Sequence, residues 1–170
     1  MALVATAGAA NANSYCDLAF ADSFFSSRLG SEKWLQAQTL FREASLVTAA
    51  IVLDSDFSWI GVVASDTQSM RWPRKYVEDV DGREVTDTTI PLPIKQAQCE
   101  LALQILKDGE YTGVISDLDT VRVGSIRVDF DQLAAKYAVP RTVLSLLSHW
   151  GTYEGAAGGR SVKVAKLVRT

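Results

Sequence analysis

Apolar residues recur at three- and four-residue steps in several stretches of the chain and at two-residue steps in one, with small, polar and turn-forming residues between them. Ala2–Val4 reads as a short strand and is followed by a small-residue linker through Asn13. Asp17 then stands where it can cap a first helix, in which Leu18, Ala21, Phe24, Phe25 and Leu29 keep helical spacing. Gly30 falls where a glycine ends a helix, and Ser31 opens a short turn carrying Trp34. A longer helix is predicted from Thr39 to Asp54, with Leu46, Ala50 and Leu53 on one line and Val47 and Ile51 widening the same face. Pro93 suits the first position of a third helix, because proline there gives up only an amide that has no partner anyway. Its stripe is Ile94, Ala97, Leu101 and Ile105, interrupted by Gln98 and widened by Leu103 and Leu106, and Gly109 stops it. A last helix runs from Pro140 to about Trp150 through Val143, Leu144, Leu146 and Leu147.

The two-residue period appears after residue 119. Val121 and Val123 alternate with Arg122, and Ile126, Val128 and Phe130 alternate with Arg127 and Asp129. The apolar phase shifts across Gly124-Ser125, which a tight turn explains, so residues 119–130 are expected to form a β hairpin. Residues 61–93 have little periodicity and read as one long loop, a class of segment that is often functional. The expected fold is therefore mainly α: a helical bundle of about four helices with a small β hairpin, a long loop and an extended C-terminal arm. Residues 1–154 form the helical domain, and 155–170 comprise a glycine-rich hinge, Gly155 to Gly159, and a basic arm.

Composition narrows the function classes. Hydrophobic residues make up 48% and charged residues 22%, enough apolar material for a core. Lys and Arg number 17 against 20 Asp and Glu, a net charge of −3, which speaks against binding nucleic acid by average charge and leaves only a concentrated patch. Cys16 and Cys99 stand far apart without paired spacing, so they read as two small buried hydrophobes, with no metal and no cofactor implied. No Lys or Arg precedes Arg28, so a secretory leader is not expected, and no stretch approaches the ~20 apolar residues of a membrane span.

No phosphate-binding glycine loop, nucleophile elbow or kinase signature occurs, and a non-enzymatic protein is expected. His149, the one histidine, reads as a helix-terminal surface residue, and the acid pairs Asp54/Asp56, Glu78/Asp79 and Asp117/Asp119 read as solvated turn acids. Two segments are interface candidates. Trp72, Pro73 and Arg74 combine the residue types that anchor interfaces, although a loop tryptophan can also fold back onto its own core. In the arm, Arg160, Lys163, Lys166 and Arg169 alternate with Val162, Val164, Leu167 and Val168. That pattern fits either a frayed terminus or a segment that docks on a partner.

Several motifs, in order, resemble a known family. Asn11-Ala-Asn-Ser-Tyr15, Leu18-Ala19, Ala21-Asp22 and Phe24-Phe25 open the match, and Trp72-Pro73-Arg74 and Ile94 to Leu103 continue it. Val123 to Phe130 and Lys166-Leu167-Val168-Arg169 complete it. Together they resemble a phage family of DnaT-like single-stranded DNA-binding proteins whose members sit among head-morphogenesis genes. Cys16-Asp17 stands where Val-Ser is usual and Phe20 where Glu is usual, which removes the usual capping box from the first helix. The resemblance implies two functions. The first expectation is a head-to-tail adaptor of a tailed bacteriophage, a virion protein assembled in the host cytoplasm. It would form a homo-oligomeric dodecamer ring under the portal protein, contact further neck or tail-completion proteins, and let double-stranded DNA pass through its lumen. The alternative is a replication accessory protein that binds single-stranded DNA. Neither implies a cofactor or a membrane.

Overall fold

A computed structural model describes residues 2–108, 120–123, 126–129 and 139–154, the two middle segments by their backbone alone. It is mainly helical. The helices are α1 (Leu18–Ser26), α2 (Glu32–Gln36), α3 (Thr39–Asp56), α4 (Leu92–Asp108) and α5 (Arg141–Leu147). The strands are β1 (Phe57–Trp59), β2 (Val62–Val63), β3 (Arg74–Lys75), β4 (Thr120–Val123), β5 (Ile126–Asp129) and β6 (Gly151–Tyr153). The bundle thus has five helices among the described residues rather than about four, because the turn expected around Trp34 closes into α2.

Local chemistry explains the boundaries. Asp17 caps α1 by accepting a hydrogen bond from the Phe20 amide at 2.7 Å, satisfying one of the free donors at the helix start. Gly30 has φ +78°, a left-handed conformation suited to the chain reversal between α1 and α2. Val4 is not in a strand; its amide donates to Asn13 Oδ1 at 2.7 Å and its carbonyl accepts from Asn13 and Ser14, which ties the N-terminal segment into a loop.

α3 and α4 form the principal packed pair, and α5 lies against α4. Their shared core includes Leu46, Leu53, Ile94 and Val143, each with no exposed surface. Each such aliphatic side chain contributes about 1.5–3 kcal/mol by leaving water. Trp34 of α2 is equally buried and packs 4.7 Å, centroid to centroid, from Phe25 of α1. Two expected core residues are displaced from it: Leu29 is fully exposed beyond the end of α1, and Ile51 of α3 is 63% exposed.

The long loop is ordered rather than open. β2 pairs antiparallel with β3, Val62 opposite Lys75 and Val63 opposite Arg74. Gly61, at φ +71°, permits this: a Cβ there would stand 2.4 Å from the Lys75 carbonyl oxygen. β1 pairs antiparallel with β6, Phe57 opposite Tyr153, a non-local pairing without a sequence signal. An aromatic cluster runs behind it, with Trp72 edge-on to both Trp59 and Trp150 at 5.9 Å. β4 and β5 form the expected hairpin, Thr120 opposite Asp129 and Val123 opposite Ile126. Phe130, the pair Asp117/Asp119, the Gly155–Gly159 hinge and the arm residues Arg160, Val162, Lys163, Val164, Lys166, Leu167, Val168 and Arg169 lie outside the described residues.

Candidate nucleic-acid interface

α1 is too short to bury its aromatic residues on all sides. Ala21 and Phe25 face the core, while Phe20 and Phe24, one turn apart, are half-buried on its flank. Their rings are nearly parallel, 9° apart in plane with centroids 6.4 Å apart. Each carries a cation: Lys95 Nζ of α4 lies 5.8 Å from the Phe20 centroid, and the Arg28 guanidinium lies 4.5 Å from that of Phe24. Arg28 is also paired with Glu100 of α4.

Beside this ladder a groove of about 490 Å³ opens between α1, α4 and α5. Phe24, Arg28, Gln96 and Glu100 line one side and exposed Arg141, Thr142 and Ser145 the other. Together with Lys95 the cluster holds three cations and a single carboxylate, a local excess of positive charge in a chain whose net charge is −3. Flat ring faces, flanking cations and hydroxyl and amide donors can stack a planar base and hold an anionic backbone. Phe24 was legible as part of the apolar stripe of α1, but the sequence placed it in the core. Lys95, Arg28 and Arg141 come from three separate elements, and no local pattern joined them.

Trp72, Pro73 and Arg74 are turned inward. Trp72 is 1% exposed within the aromatic cluster, and Pro73 is buried. The Arg74 guanidinium donates to the carbonyls of Ile60 at 2.6 Å, Gly61 at 2.7 Å and Arg71 at 3.1 Å. The motif staples the loop of its own chain, since its planar fork fits three carbonyls that β pairing leaves free.

The remaining candidates separate by environment. His149 is exposed, with Nε2 2.9 Å from the Glu78 carbonyl oxygen. Asp79 accepts from the amides of Asp81 and Arg83, both at 2.9 Å, and the Arg83 amide above all holds its carboxyl below the usual carboxylate range. Asp54 behaves in the opposite way. It accepts from the Tyr15 hydroxyl and from the Arg71 amide at 3.2 Å, yet burial pushes its pKa up. Cys16 and Cys99 are free and buried, their sulfurs 3.7 Å apart, as the reading of two small hydrophobes expected. Among the described residues no cluster of ligating side chains could hold a metal ion, and no helix is long and apolar enough to cross a membrane.

The raised Asp54 value has a signed consequence. The folded state keeps this proton to a higher pH than the unfolded chain, whose Asp titrates near ~3.9. Its contribution to stability is therefore present below that value and is lost as pH rises through the raised folded value. Chemical denaturation of wild type and Asp54→Asn across the mildly acidic range should show their stability difference moving in favour of the variant as pH rises. A difference that stays flat, or moves the other way, would place the carboxylate in a solvated setting.

A family model described as "Putative DnaT-like ssDNA binding protein" matches residues 1–170. No curated protein and no solved structure matched the chain. The match corrects the first functional expectation. The family named over the full chain is one of single-stranded DNA binding, the reading held as the alternative, and nothing in the comparisons supports a head-to-tail adaptor. The adaptor reading leaned on the acidic average charge, whereas binding depends on where the cations gather.

Proposed function

The chain belongs to the family of DnaT-like single-stranded DNA-binding proteins, and from that membership we propose that it binds single-stranded DNA, without catalysing a reaction on it, in the groove between α1, α4 and α5. The observation that carries this reading is the parallel pair Phe20 and Phe24 with Lys95 and Arg28 over their rings. Bases of an unpaired strand stack on such platforms with little regard to sequence, and nearby cations neutralise the phosphates. Arg141 across the groove would add a further phosphate contact.

Fluorescence anisotropy with a labelled oligonucleotide, over a series of salt concentrations, tests it. Removing one stacking platform costs about 1–3 kcal/mol per base, so Phe24→Ala should weaken binding roughly 5- to 150-fold. Arg141→Gln should make the slope of log affinity against log salt shallower by about 0.7, the value for one phosphate contact on a single strand. Circular dichroism must show both variants folded. Absence of binding at low salt, or two folded variants that bind as wild type does, would remove the groove from consideration.

A further inference from the structure

α3 buries Ser45, Leu46, Ala49, Ala50, Val52 and Leu53 against the rest of the bundle. Its opposite face is apolar too. Leu40 is 68%, Phe41 55% and Ile51 63% exposed, Ala44 is exposed and Val47 half-buried. Leu40, Ala44, Val47 and Ile51 alternate four- and three-residue steps, the spacing of a seam between two paired helices. No charged residue interrupts them, and neighbouring Arg42 is already paired with Asp22 at 2.9 Å.

The seam is also self-complementary in shape. At the C-terminal end of α3, Val47, Ala50, Ile51 and Asp54 form one wall of an open cleft of about 770 Å³. Positions spaced in this way are the four corners of the hole that receives a side chain from a facing helix. At the other end Leu40 and Phe41 project into solvent as knobs. Leu40 and Ile51, Ala44 and Val47, and the knobs and the hole are each symmetric about one point, between Ser45 and Leu46. A two-fold axis there sets Leu40 against Ile51 of a second copy and Ala44 against Val47, with each pair of knobs at the partner's hole. Glu43 then faces Thr48, so no like charges meet. We propose that the occupant of this face is a second copy of the chain, paired antiparallel through α3 in an isologous dimer. The dimer is independent of DNA and would carry two binding grooves per particle.

Sedimentation velocity of the full chain at micromolar concentration should give twice its 18.5 kDa mass. Leu40→Lys and Ile51→Glu alter exposed positions, so each should keep its helical circular dichroism and sediment as a monomer. An equimolar mixture of the two should regain the dimer, because at one end of the seam the new lysine faces the new glutamate while Ile51 meets Leu40 at the other. A full chain that stays monomeric at tens of micromolar overturns the proposal, as does a dimer that survives both substitutions. Failure of the mixture to recombine overturns the antiparallel pairing. If deletion of residues 155–170 were needed before any dimer formed, the chain's own C-terminal segment would be the occupant and the proposal would be wrong.

Discussion

Gln98→Leu should lower the melting temperature by roughly 6–20 °C, although leucine matches glutamine in size and the position has no exposed surface. The wild-type side-chain amide is fully used. Its Oε1 accepts from the backbone amides of Tyr15 and Cys16, both at 3.0 Å, and its Nε2 donates to Ser14 Oγ at 2.7 Å and the Leu46 carbonyl at 2.8 Å. Leucine would leave those groups without this partner, and each orphaned buried polar group costs about 1–3 kcal/mol. Partial relaxation brings the total to about 3–5 kcal/mol, and a chain of this size loses ~2–4 °C per kcal/mol. The consequence reaches the candidate interface. Ser14 to Cys16 lead directly into α1, so Gln98 of α4 sets how α1 and its Phe20–Phe24 pair sit beside Lys95. A variant that still folds should bind single-stranded DNA less well than wild type. Calorimetry showing an unchanged melting temperature would mean that the hub is dispensable.

Arg74→Met is expected to be of similar size, about 3–5 kcal/mol, from the loss of charged hydrogen bonds worth ~1.5–3 kcal/mol each. Burial, and then the charge of Arg71, lower the Arg74 pKa, and the carbonyls of Ile60, Gly61 and Arg71 offset the desolvation of its guanidinium. Arg74→Lys should fall between wild type and Arg74→Met, since one ammonium cannot span three acceptors held in a planar fork. Urea unfolding gives the stability order, and limited proteolysis should cleave first within residues 61–78, where β2 and β3 lose their tie. Wild-type stability in Arg74→Met would mean that the side chain does not hold this loop.

Much of the fold was legible because local chemistry repeats locally. The Asp17 cap, the α3 and α4 stripes, the entry of Pro140 into α5 and the phase shift at Gly124-Ser125 each concern residues within a turn or two of one another. The family was legible for a different reason: motifs from Asn11 to Arg169 keep their order, and the full-length match agrees. The interior role of Gln98 was not, because a polar residue on an apolar stripe reads as an interruption until its four partners are known. Trp72 and Arg74 read equally well as surface anchors or core, since either setting suits an aromatic ring and a guanidinium.

By itself, then, the sequence determined the helices, the hairpin and the family, all of which follow from spacing and residue order along the chain. Only the tertiary structure decided that Phe20 and Phe24 stand at the surface under cations from other elements, that Ile51 faces out, and that Arg74 turns in. The physical reason is the same in each case. Whether a side chain is core, staple or platform depends on what stands across from it, and β1 with β6, Arg141 with Phe24, and Gln98 with Tyr15 are brought together by packing between distant segments.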